Sequence, residues 1–118
     1  MGTGAGGNFS NTKGSHSNTK IHKGRQDKHI VGTNNYKQQI ANGKHPSILT
    51  ENPRALLKEG AGKGRITTST KEAVDFGRII GKYYHEKTNG YYDTTRGTIH
   101  YDEKGDAHIV PAKPGWLK

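Results

Sequence analysis

The chain's 118 residues allow one small domain, and a hydrophobic content of 28% leaves it only a modest core. The absence of cysteine excludes disulfides, thiolate zinc sites and a cysteine nucleophile, and no apolar run is long enough to cross a membrane. A net charge of +9 favours polyanionic partners: nucleic acid, an anionic membrane or an acidic protein.

Residues 1–24 hold Met1, Ala5, Phe9 and Ile21 as their only apolar side chains, among Gly, Ser, Thr, Asn and scattered Lys. Such a stretch buries too little to offset its ordering entropy. Residues 1–24 are therefore expected to be a flexible linker, and 25–118 the compact domain. The twice-occurring "SNTK" reads as low complexity. No signal-peptide stretch stands at the N-terminus, so any export is expected to depend on another segment.

In "KHIVGTNNYKQQIANGKHPS", Thr33 or Asn34 can cap a short helix that runs through Ile40 and ends at Asn42-Gly43. A second helix follows in "ILTENPRALLKEGAGKG". Thr50 or Asn52 caps it, Pro53 suits its first turn, Leu56 and Leu57 face the core, and Gly60 ends it. "GAGKGR" does not complete a phosphate-loop signature, because Arg65 follows Gly64, and it reads as a connector. "RITTST" is β-branched. "VDFGRIIGKYYHE" reads as a strand with Val74, Phe76, Arg78 and Ile80 on one face, or as a helix; Gly77, Gly81 and Tyr83-Tyr84 favour the strand. "KTNGYY" carries an Asn-Gly hairpin signal, and "YYDTTRGTIHYDEKGDAHIVPA" gives a second hairpin. The expectation is an α+β domain: short N-terminal helices packed on an antiparallel sheet of about four strands.

Chemistry concentrates on the last hairpin. Side chains alternate along a strand, so Arg96, Thr98, His100 and Asp102 share one face and Gly97, Ile99 and Tyr101 the other. A three-residue Glu103-Lys104-Gly105 loop with Gly105 left-handed sets His108 opposite His100. A two-residue Lys104-Gly105 turn sends His108 to the other face. Two imidazoles can act as base and acid near neutrality, which is what metal-independent RNA cleavage by the ribose 2′-OH requires, with a cation on the phosphoryl charge. Neither HExxH nor a paired-carboxylate motif is present, so no metal or cofactor is expected. His16, His22, His45 and His85 read as solvated. Tyr83, Tyr84, Tyr91 and Tyr92 read as core and cross-strand pairs, the alternative being a stacking surface for bases.

"KHIVGTNNY" (28–36), "PSIL" (46–49), "GRIIGKYY" (77–84) and "GTIHYDEKGDAHIVPAKP" (97–114) together resemble the polymorphic toxin type 50 domain. Such domains form the C-terminal toxin part of large bacterial secreted or contact-dependent inhibition proteins, and also occur in phage head-associated proteins. The resemblance implies a ribonuclease of the barnase, EndoU, colicin and RelE group. It implies roles for His29, Thr98, His100 and His108. The final loop is one residue longer than the family's usual "IHYSKxGxHIVP", so the carry-over is more direct for His100 than for His108. Arg96 and Lys28 are added from charge and position, and Thr33, Ser47, Arg65 and Tyr101 complete the expected substrate-binding set. The expected partners are an RNA substrate and an acidic immunity protein, with the chain otherwise monomeric and not inserted in a membrane. Delivery is expected from a larger secreted or cell-surface protein into a target-cell cytoplasm. The alternatives are a non-catalytic nucleic-acid-binding module and a toxin of other chemistry, such as NAD cleavage.

Overall fold

The final hairpin organises the molecule. The computed structural model describes residues 19–118. In it β7 (Arg96–Tyr101) and β8 (Asp106–Pro111) pair antiparallel, with Ile99 opposite Ile109 and His100 opposite His108. The loop is the three-residue Glu103-Lys104-Gly105 form. The Asp102 N–H donates to Asp106 O at 2.9 Å, and Gly105 takes φ +85°. Asp102 Oδ1 accepts from the N–H groups of Lys104 and Asp106, which fixes the turn.

β7 also pairs with β4 (Lys71–Asp75), and β4 with the edge strand β3 (Arg65–Thr68). On the far side of β8, β1 (Lys20–Ile21) adds in parallel. The order β1-β8-β7-β4-β3 makes a five-stranded mixed sheet, and β2 (Ile48–Leu49), β5 (Gly81–His85) and β6 (Gly90–Thr94) make a second, three-stranded one. The α+β class is as expected, but the single sheet of about four strands is two sheets. The difference arises at "VDFGRIIGKYYHE". Asp75 Oδ1 accepts from the Gly77 N–H at 2.9 Å, and Gly77 sits at φ +74°, so the strand stops and the chain crosses to the other sheet. Val74, Phe76 and Ile80 are buried as expected. Arg78 leaves that face to form ion pairs with Glu51 and Glu59, both at 2.9 Å.

Of the expected linker, residues 1–18 lie outside the described residues. Its last part carries β1 and the start of α1 (Lys23–Asp27), where His22 Nδ1 caps by accepting from the Arg25 N–H. Thr33 caps α2 (Asn34–Ala41), and Asn52 caps α3 (Pro53–Gly60) with Pro53 in the first turn. The "KTNGYY" hairpin forms, though as a four-residue loop in which only Asn89 is left-handed. Leu56 and Leu57 of α3 join Leu49, Val74, Phe76, Ile80, Ile99, Ala107 and Ile109 in one core on the inner face of the large sheet. No helix among the described residues is long and apolar enough to cross a membrane.

Candidate active site

Two devices bring a residue from the start of the domain onto the final hairpin. The first is Gln26, on α1. Its buried side-chain amide donates to Ile109 O at 3.0 Å and accepts from the Ile109 N–H at 2.7 Å. An amide has the donor and acceptor of a peptide group, so Gln26 fills the place of a strand residue beside β8. The second is the segment entering β2. The Leu49 N–H donates to His29 O at 2.8 Å, and His29 Nδ1 donates to Ser47 O at 2.8 Å. Three residues after Gln26, His29 is thereby held by both backbone and ring.

The result is a row of three imidazoles. His100 and His108 stack with centroids 4.8 Å apart and planes at 19°, and His29 lies 6.3 Å beyond His108 at 14°. Lys71, directly opposite His100 on β4, follows on the other side. A carbonyl can only accept, so Ser47 O fixes the proton of neutral His29 on Nδ1 and leaves Nε2 bare. Burial is the main reason that all three rings protonate below the usual imidazole value. His108, in the middle, is held lowest, at about 4, by burial and then by His100, His29, Arg25 and His22. For His29 the bond to Ser47 partly opposes burial, and Lys28 adds to the lowering; for His100 the further contributions are Lys71 and His29. At neutral pH the row is a set of uncharged donors and acceptors surrounded by cations. No group of three or more His, Asp or Glu among the described residues is arranged to hold a metal ion.

The structure thus brings His29, His100 and His108 together, with Lys28 beside the first and Thr98 two residues before the second on the same face. Other expected members stand elsewhere. Arg96 is at the far end of β7, with its Nε 3.6 Å from Asp75 Oδ2, so its charge is directed to that carboxylate. Tyr101 is turned to the opposite face, where its hydroxyl donates to the buried Glu72 Oε1 at 2.6 Å; strand alternation separates it from the imidazole row. That Glu72 carboxylate also accepts from the Gly62 and Gly64 N–H groups, which ties down the "GAGKG" connector. The Thr33 hydroxyl is occupied with Asp27 O, Ile30 O and the Tyr36 N–H at the start of α2. Ser47 contributes through its carbonyl, while its hydroxyl accepts from the Tyr84 N–H at 3.1 Å. Arg65 is on the exposed edge strand, opposite Ala73, which in turn faces Thr98.

Lys71, Arg25 and Gln26 escaped the sequence reading. The first is placed by strand pairing and the others by docking of α1, and neither leaves a local pattern.

The profile of the bacterial toxin 50 family matches residues 21–111. That span contains α1, all three imidazoles, Lys71 and β8. No curated protein and no solved structure matches the chain significantly.

Proposed function

We propose that this chain, which belongs to the bacterial toxin 50 family, is a ribonuclease that cleaves RNA without a metal ion, by attack of the ribose 2′-OH on the adjacent phosphorus. The observation that carries this reading is the imidazole row with cations around it. In-line displacement needs a base on one side of phosphorus and an acid on the other. A phosphodiester seated over His108 meets His29 at one end of the row and His100 at the other.

His29 is assigned the base role because its bare Nε2 is held in place by the Nδ1–H bond to Ser47. It takes the 2′-OH proton as the new O–P bond forms. His100 is the acid and gives its proton to the 5′-oxygen as the P–O bond breaks, leaving a 2′,3′-cyclic phosphate and a 5′-OH. His108, uncharged at neutral pH, donates an N–H to a non-bridging oxygen, and Lys71, Lys28 and Thr98 oppose the developing charge. Binding of the phosphate anion favours the protonated imidazole, so the substrate itself recruits the proton that His100 needs.

The test is purified protein with total RNA in excess EDTA, beside His100→Ala. Discrete fragments ending in 2′,3′-cyclic phosphate, absent with the variant, are expected. RNA left intact by the wild-type protein, or cut equally by the variant, overturns the assignment.

Such an activity endangers the cell that makes it. We infer delivery as part of a larger secreted or cell-surface protein, action in a target-cell cytoplasm, and an acidic immunity protein whose charge complements the +9 of the chain.

A further inference from the structure

Beside His29 the surface opens into a groove of about 450 Å³, lined in part by Lys28, Lys44, His45 and Tyr84. A second concavity, of about 370 Å³, continues it past Ser47, Lys87 and Lys113. The two share His45, Tyr84 and Glu86. At this junction the His45 imidazole stacks on the Tyr84 ring, with centroids 4.7 Å apart and planes at 19°. Tyr91 tilts against Tyr84 from 5.2 Å, and its hydroxyl donates to Pro46 O at 3.2 Å, while the Tyr84 hydroxyl donates to Asn89. The stack is thus anchored to the chain on two sides, and His45 is exposed on top of it.

Charge surrounds this stack. Lys28, Lys44, Lys87 and Lys113 line the two concavities, and none of them is in an ion pair among the described residues. Among the described residues, Glu86 is the one carboxylate on the walls. A flat ring with an open face, flanked by free cations, fits a nucleobase and its neighbouring phosphates. Unpaired bases can reach such a ring, whereas a duplex keeps its bases stacked on each other.

Resting on the ribonuclease reading, we propose that this groove is a subsite for single-stranded RNA. One base stacks on His45 and Tyr84, and the four lysines hold the phosphates on either side. The strand then enters the imidazole row past His29, which lines the groove and the row alike.

The probe is a mixed-sequence 2′-O-methyl octanucleotide, which lacks the attacking hydroxyl and stays intact on the wild-type protein. Binding is measured across a salt series, with thermal melting as the control for folding. His45→Ala is expected to weaken binding about 5- to 100-fold without changing the salt slope, and His45→Phe to restore it. Lys113→Ala is expected to lower the slope by about one. The oligomer annealed to its complement is expected to bind more weakly than the single strand. Unchanged binding by His45→Ala, or a duplex bound as tightly as the single strand, overturns the subsite, while cleavage of unmodified RNA still upholds the catalytic assignment. Conversely, His45-dependent binding with unmodified RNA left uncut keeps the subsite and removes the ribonuclease reading. No binding by the wild-type protein overturns the subsite, and unmodified RNA left uncut as well overturns both.

Discussion

On one side of the β7–β8 hairpin, Ile99 and Ile109 face each other and are fully buried; one residue along each strand, on the other side, His100 and His108 face each other and are half open. The backbone is the same, so a single register serves both the core and the site. A strand exchanges its two faces with a slip of one residue. The loop Glu103-Lys104-Gly105 therefore determines at once that isoleucine goes inward and imidazole outward. Stability and the proposed reactivity are specified together here, yet they rest on different atoms and can be separated.

Deleting Lys104 tests the shared register most severely. A two-residue loop exchanges the faces of β8 and drives His108 toward the core, so the cooperative thermal transition is expected to disappear. A variant that melts normally with activity intact would show that the loop does not control the register.

Substitutions at adjacent positions of β7 are expected to act on different properties. His100→Ala should lower RNA turnover by about 10²- to 10⁴-fold and leave unfolding free energy within about 1 kcal/mol. Ile99→Ala should cost about 3 kcal/mol of stability, read by denaturant titration, with catalysis retained in the folded fraction. Equal loss of stability in both would mean that the imidazole face also holds the fold together.

Gln26→Leu should cost about 2 kcal/mol, because Ile109 loses a buried donor and a buried acceptor together. The same change frees α1 from β8, so activity at a temperature where the protein stays folded should also fall. Full activity in a destabilised Gln26→Leu protein would mean that the contacts of His29 with Ser47 and Leu49 suffice to hold it.

A smaller effect separates the faces by pH. The folded state holds His108 near 4 and holds His29 and His100 below 6.5 as well, while the unfolded chain returns all three to the usual 6.5. Below pH 6.5 the unfolded chain binds more protons, so stability is full above 6.5 and declines as pH falls toward 4. Melting temperature should follow that course, and His108→Asn should flatten it. The smallest change is expected from Lys71→Ala: His100, titrated by NMR, should protonate at higher pH once the facing cation is gone. An unmoved titration would place the Lys71 ammonium away from the ring.

Much of the hairpin was legible from residue order, because alternation and a left-handed glycine are local signals. The caps Thr33 and Asn52 and the stop at Gly60 were legible for the same reason. The division into two sheets was not. It depends on an Asp75–Gly77 turn inside a run whose composition is continuous strand. At the site, His29, His100 and His108 could be named from the resemblance, but their meeting rests on long-range contacts: a glutamine that imitates a peptide group across 83 positions of sequence, and the bonds of His29 to Ser47 and Leu49. Tyr101 shows the converse: alternation alone placed it with Ile99, away from the imidazoles. Arg96 shares the face of His100, and the pull of Asp75 at its end of the strand came only with the pairing of β4 and β7.

The Gln26 amide has one more consequence, for how the sheet ends. Among the described residues, β1 pairs with Asp106 and Ala107, and beyond them the Gln26 side chain occupies the outer hydrogen-bonding groups of Ile109. At the opposite border β3 is four residues long, exposed throughout, and broken by a register shift between Ile66 and Thr68. Short, bulged or plugged borders are poor templates for a further strand. Among the described residues, a second copy that meets either border of this five-stranded sheet finds no flat, vacant ladder to extend.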